Sequence, residues 1–240
     1  MSASDQGSLK RLLLGALGPT NVGRLEYVLR PSLRKSWGGP MNGQAGRRQI
    51  FTDIVAAVRP GAIIETGTFR GTTTEFLATF GVPVYSVESQ PRYYVFADLR
   101  LRSLRPLVKV SLGDSRAFLS QLARDASVPK QSVVFYLDAH WSEDLPLAEE
   151  LTTIFGAWSR SVVMIDDFAV PGDSYGYDDY GPGRALDADY LAALARRDLS
   201  VFYPALRAYK ETGAKRGCVV LCTDPGTSTT LAGLDTLRRA

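Results

Sequence analysis

This sequence predicts an α/β fold: a doubly wound, mostly parallel sheet of seven strands with an antiparallel pair at one edge, preceded by an N-terminal helical extension. Three observations predict it. Short apolar runs (Ala62-Ile63-Ile64, SVVFYL from Ser132, SVVMI from Ser161) alternate with helical stretches, the pattern of strands covered on both faces by crossover helices. Acids recur where strands end, at Glu65, Glu88, Asp114, Asp138, Asp166 and Asp167, which is the rim where such sheets hold ligands. The chain of 240 residues, 45% hydrophobic, is long enough for one globular core and shows no internal repeat.

The first sixty residues read as helices over Leu9–Leu17, Val22–Leu29 and Gln49–Val58, the last ending just before Pro60. Between them Ser36–Arg48 (SWGGPMNGQAGRR) is too rich in glycine for a helix and long enough for a working loop. The chain therefore divides into residues 1–48, a helical extension with a covering loop, and residues 49–240, the sheet domain.

Gly61–Glu88 organises the rest: an apolar strand, a glycine turn, a helix opened by Thr72-Thr73-Thr74, and a strand ending on an acid. Gly67 and Gly71 bracket a turn where the backbone can approach a ligand closely. The free N–H groups of the following helix can face polar or anionic atoms. Glu88 lies 21 positions beyond Gly67, where a nucleotide-binding βαβ unit places the acid that takes ribose hydroxyls. The spacing is E-x-G-x-x-x-G (Glu65, Gly67, Gly71), not the G-x-G-x-x-G of pyrophosphate binders. A nucleoside without a diphosphate suits it, which favours S-adenosylmethionine over NAD. The alternative is an ordinary turn, with glycines for packing and Glu88 a solvated strand end.

Further on, Pro91 starts a helix running to about Leu104. Leu107–Leu112 is the third strand, and Asp114 caps a helix ending near Ala123. The fourth strand runs into Asp138-Ala139-His140-Trp141, and Ser142 with Glu143 and Asp144 opens the next helix. The fifth strand ends on Asp166-Asp167, followed by a loop rich in Gly, Tyr and Asp from Phe168 to Arg184. Ala185–Arg197 is a helix, and Leu199–Leu206 with Gly217–Thr223 form the antiparallel edge pair.

The net charge of +3 is small but uneven, since residues 1–50 carry eight Lys/Arg against Asp5 and Glu26. Such a start can face an acidic partner or pair with another copy to make a homo-oligomer; a solvated helical face explains it equally. No run reaches the roughly 20 apolar residues of a membrane span, and Leu12–Leu17 is too short for a signal core, so a cytoplasmic location is expected. Nothing in the charge pattern calls for nucleic acid. Cys218 and Cys222 lie on one strand about 13 Å apart, beyond disulfide reach, and read as buried thiols.

Asp138, Asp166 and Asp167, at the ends of two successive strands, make a hard oxygen-rich set of the kind Mg²⁺ prefers. Strands about 4.8 Å apart would let them reach one ion. Helix caps and an exposed acid are the competing explanation. His140, the one histidine, can act as a base, orient the site or be structural. Trp141 can stack on an adenine or an aromatic acceptor, or close the core.

Four segments, PMNGQAG, IIETGTFRG, YLDAHW and IDDFAVPG, in this order and with 28 positions between Asp138 and Asp166, resemble the class I S-adenosylmethionine-dependent methyltransferases, which have a Rossmann-like fold. Specifically, the chain resembles the catechol O-methyltransferase group, over about Trp37 to Gly172. The resemblance implies that Gly67, Phe69 and Thr73 line the methionine and ribose of the cofactor, with Glu65 and Gly71 in the same motif. Glu88 takes the ribose hydroxyls. Asp114, Ser115, His140 and Trp141 lie by the adenine, and Met41 and Asn42 cover the donor methyl. Asp138, Asp166 and Asp167 hold Mg²⁺, while Trp37 and Pro171 gate the acceptor.

Departures from the group point to the acceptor. The histidine and tryptophan sit one residue later than in its D-H-W pattern; the lysine that follows there is Ser142; the second metal position, often asparagine, is Asp167. A double aspartate resembles the metal-dependent sugar O-methyltransferases of macrolide and aminocoumarin biosynthesis. The acceptor is thus expected to be a small hydroxylated molecule, phenolic or sugar-like, with Tyr175 and Tyr177 available to stack on it. Without the lysine, Asp138 or His140 takes the proton. A catalytically silent cofactor-binding protein and an NAD-dependent oxidoreductase are the rival readings.

Overall fold

The computed structural model describes residues 17–140, 144–194 and 198–240. Eight strands form one sheet: β1 (Ala62–Thr66), β2 (Val84–Glu88), β3 (Val108–Leu112), β4 (Val133–Leu137), β5 (Val162–Asp166), β6 (Ser200–Pro204), β7 (Cys218–Cys222) and β8 (Leu237–Arg239). Their spatial order is β3-β2-β1-β4-β5-β7-β6-β8. The first five pair in parallel, whereas β7 runs antiparallel to both β5 and β6, and β8 antiparallel to β6. The doubly wound sheet and its antiparallel pair are as the sequence predicts. The strand number is corrected from seven to eight, because Leu237-Arg238-Arg239 carries no alternation that marks an edge strand.

All five residues of β1, β2, β4, β5 and β7 are buried. Alternate side chains therefore feed two apolar layers. Ala62 and Ile64 pack with Phe118, Leu119, Leu151 and Ile154 on one face. Ile63 packs with Phe51, Ile54, Leu77 and Leu231 on the other. The helices supplying these contacts are α2 (Ala45–Val58), α3 (Thr72–Ala78), α4 (Pro91–Arg100), α5 (Ser115–Arg124), α6 (Leu147–Ala157), α7 (Ala188–Ala193) and α8 (Pro225–Ala232), preceded by α1 (residues 17–29). Cys218 and Cys222 are free and buried.

Helix boundaries shift for local reasons. The helix expected over Leu9–Leu17 lies outside the described residues except for its last position. α2 starts four residues early, at Ala45, because Glu211 and Thr212 cap it from the far end of the chain: Gly46 and Arg47 donate backbone N–H to Glu211 at 3.0 and 3.1 Å, and Ala45 to Thr212 Oγ1 at 2.7 Å. α6 starts at Leu147 rather than at Ser142, since Leu145 precedes Pro146 and is disfavoured from helical backbone. α7 begins after Asp187, whose carboxylate accepts Tyr190 N–H at 3.0 Å. Asp114 caps α5 as predicted.

α1 docks on α4. Glu26 pairs with Arg92, Tyr27 meets Phe96 edge-on at 5.3 Å, and a Cβ on Gly23 would fall 2.2 Å from the Arg92 carbonyl. Two 3₁₀ stretches, Pro31–Gly38 and Pro40–Gly43, then carry the chain over the rim of the sheet. No helix among the described residues is long and apolar enough to cross a membrane.

Candidate active site

The strand order reverses between β1 and β4, and a cavity of about 900 Å³ opens at the carboxyl ends of β1, β2 and β4. That volume suits a nucleoside-sized cofactor with a small acceptor beside it. Gly67, Phe69, Glu88, Asp114, Ser115 and Tyr93 line one end. Asp138, His140, Asp167, Asp178 and Arg216 line the other, with Trp37 and Asn42 at the covering loop.

The nucleoside end is built by backbone geometry. Gly67 has φ of 87°, and a Cβ there would sit 2.2 Å from the Asp138 carbonyl oxygen. Its missing side chain thus serves the packing of β1 against the end of β4, as well as the opening of the turn. Phe69 donates its N–H to Glu88 Oε2 at 2.7 Å, and Gln90 donates to Oε1 at 2.8 Å. Burial raises the Glu88 carboxyl above its ordinary value. Held this way, Glu88 keeps unused lone pairs on both oxygens for hydroxyl donors. The Phe69 and Tyr93 rings meet at 4.5 Å, tilted by 60°, with the Arg70 guanidinium 4.5 Å over the Phe69 ring.

The acidic end is two-layered. Beneath lies Asp166, fully buried, ion-paired with the equally buried Arg47 and accepting the Tyr136 hydroxyl. Its Oδ1 also accepts the Asp167 N–H at 2.6 Å. This bond holds Asp167 in a left-handed conformation, φ of 53°, with its side chain at the cavity. Above, Asp138, His140 and Asp167 each place one ligand atom within 4.8 Å of the others. Arg216 donates Nε–H to Asp167 at 2.9 Å and pairs with Asp178.

Burial, and next the Asp167 charge, push the Asp138 carboxyl well above the usual range. Burial pushes the His140 imidazole down, so it is neutral at neutral pH. Both His140 ring nitrogens are buried without a hydrogen-bond partner among the described residues, the state of a group open to a ligand. Four aspartates (Asp138, Asp166, Asp167, Asp178) face two guanidiniums (Arg47, Arg216), an excess of acid that raises Asp138 when no cation is present. A dication would neutralise that excess, and the donor set fits one.

Trp37, Asn42, Phe69 and Asp167, all at the cavity, are non-glycine residues with φ between 49° and 58°. Each such conformation costs about 1–3 kcal/mol and persists where the surroundings impose it, commonly at functional sites.

Several expected site residues fall elsewhere. Asp166 is corrected from cation ligand to buried anchor, because Arg47 and Tyr136 occupy its oxygens. Tyr175 is in the core, its hydroxyl donated to the Leu206 carbonyl at 3.0 Å, and does not reach the cavity. Pro171 is an exposed turn residue whose carbonyl accepts Arg238, and Tyr177 points to solvent. Met41 packs in the core below the sheet rim, while its N–H donates to Thr73 Oγ1 at 3.1 Å. Thr73 lines a cleft of about 40 Å³ beside the main cavity, with Trp37 and Asn42. Gly71 faces Leu101 of the α4 side. Glu65 is buried under the turn, where it accepts Thr74 at 2.5 Å and Ser86 at 2.6 Å. Trp141 and Ser142 lie outside the described residues.

Arg47, Arg216, Asp178 and Tyr93 are site residues that reading the sequence did not single out. No local pattern marks the first three: Arg47 meets Asp166 across 119 positions, and Arg216 meets Asp178 across 38.

No protein-family model matches the chain, and no curated protein matches it by sequence. Solved structures share its fold. The O-methyltransferase TomG of Streptomyces achromogenes, of tomaymycin synthesis and in complex with S-adenosylmethionine, is 17% identical; the match covers 74% of this chain and 79% of TomG, with a TM-score of 0.54. A provisional O-methyltransferase of Klebsiella pneumoniae is 17% identical over 93% of this chain and 97% of its own, with a TM-score of 0.56. The Bacillus cereus O-methyltransferase in complex with S-adenosylhomocysteine is 14% identical over 74% and 81%, with a TM-score of 0.54. At these identities the likeness is one of fold.

Proposed function

We propose that this chain is an S-adenosylmethionine-dependent O-methyltransferase that methylates a hydroxyl of a small molecule, phenolic or sugar-like, with the help of a divalent cation. One observation carries the reading: a single cavity joins a ribose-type carboxylate, Glu88, to the cluster of Asp138, His140 and Asp167. Among the structures sharing the fold, the TomG and Bacillus cereus enzymes hold the methyl donor or its product.

In this reading Glu88 accepts the ribose hydroxyls, Phe69 and Tyr93 shape the nucleoside end, and Asp114 and Ser115 border the base. Trp37, 66% exposed at the mouth, and Asn42 cover the reacting end. Asp138 and Asp167, with His140, would hold the cation, for which the carboxylates taken alone would suggest Mg²⁺. When bound it would lower the pKa of an acceptor hydroxyl and stabilise developing negative charge. The acidic rim also favours the positive sulfonium. Asp138, through the oxygen the cation leaves free, takes the hydroxyl proton; His140 could do so only with the cation on the carboxylates alone. Rate enhancement then comes from aligning oxygen and methyl in a site that excludes water.

The test is transfer of labelled methyl to a panel of hydroxylated acceptors, with and without chelator. Transfer is expected to stop in EDTA and return when a divalent cation is restored. Transfer indifferent to EDTA eliminates the cation. Tight binding of the cofactor with no transfer to any acceptor favours a silent binding protein.

A further inference from the structure

Two aspartates alone would describe an oxygen-only site. The third member of the cluster is a histidine that is 4% exposed, lines the cavity and has no hydrogen-bond partner on either ring nitrogen among the described residues. A buried imidazole in that condition costs free energy unless a ligand satisfies it. At the cavity it meets Asp138 and Asp167, whose ligand atoms lie within 4.8 Å of the imidazole's and of each other, the spread of a set closing on one ion. Arg216 takes one oxygen of Asp167 and so leaves the other for a ligand. The expected third carboxylate, Asp166, is held away by Arg47 and Tyr136.

We infer that the cation of this site is bound by one imidazole nitrogen of His140 together with the carboxylates of Asp138 and Asp167, and that the site therefore selects a first-row transition dication over Mg²⁺. Imidazole nitrogen suits Co²⁺, Fe²⁺, Ni²⁺ and Zn²⁺, whereas Mg²⁺ demands oxygen and sheds water reluctantly. Replacing an oxygen donor by nitrogen thus shifts preference toward the softer ions. The inference rests on the cation-assisted reading above and sharpens it.

The experiment uses the full chain, stripped of metal and without cofactor. Co²⁺ and Mg²⁺ are titrated separately by calorimetry, with the Co²⁺ visible absorption followed in parallel. Mn²⁺ bound to the wild type is examined by pulsed electron paramagnetic resonance for nitrogen modulation. The expected result is Co²⁺ binding at least about tenfold tighter than Mg²⁺. His140→Ala should weaken Co²⁺ by about 10–100-fold, with much less effect on Mg²⁺. Nitrogen modulation should appear on Mn²⁺ in the wild type, which decides the matter even if the variant folds poorly. Equal affinities, an unchanged Co²⁺ affinity in His140→Ala, or the absence of nitrogen modulation overturns the inference. Titration of S-adenosylmethionine separates the two readings: cofactor binding without a nitrogen-ligated metal retains the methyltransferase and rejects only this site.

Discussion

Glu88 and Gly67 show how much single side chains decide at this rim. Glu88 is fixed by the Phe69 and Gln90 N–H groups, so its carboxylate is positioned before any ligand arrives. Glu88→Gln keeps the shape but loses the charge, and should weaken S-adenosylmethionine about tenfold, the worth of one charge-assisted hydrogen bond. Equilibrium dialysis checks this; unaltered affinity means Glu88 holds only the turn. At Gly67 even one methyl collides with the Asp138 carbonyl. Gly67→Ala should therefore cost about 1–3 kcal/mol in urea unfolding and also disturb the acidic end, because the clash moves Asp138 itself.

Among the elements, β5 and α2 are tied by the Arg47–Asp166 pair, the deepest charge contact of the described residues. Arg47→Met leaves a buried aspartate without its partner and should destabilise the chain by about 3–5 kcal/mol; adding Asp166→Asn should recover part of that. Thermal unfolding of the three variants measures both. A single variant as stable as wild type would show that water reaches Asp166. The same two elements show what reading the sequence can and cannot reach. β5 was legible because a strand buried on both faces is an unbroken apolar run, SVVMI, ending on its acids. Asp114 was legible because a cap lies beside what it caps. The true start of α2 was not, since Glu211 and Thr212 cap it from 165 and 167 positions away. Asp166 and Asp167 look alike in sequence. Only the fold shows that one faces Arg47 and the other the cavity.

For the whole molecule, two buried carboxylates set a pH dependence. Burial raises Glu65 and Glu150 from 4.5 to about 7. Between those values the folded chain binds more protons than the unfolded one, so their contribution is full below about pH 4.5 and falls as pH rises to about 7. Glu65→Gln should gain on the order of 3 kcal/mol over wild type at pH 8 and under about 1 kcal/mol at pH 5. Denaturant unfolding at the two pH values tests this; an equal difference at both contradicts it.

The central claim is that the rim built by β1, β2 and β4 holds S-adenosylmethionine through Glu88. Calorimetric titration of S-adenosylmethionine into the wild type and Glu88→Ala, with NADH as a comparison ligand, addresses it directly. One site per chain in the wild type, an affinity at least about tenfold weaker in the variant, and no comparable binding of NADH is the predicted result. No heat from S-adenosylmethionine at millimolar concentration, or tighter binding of NADH, would contradict it.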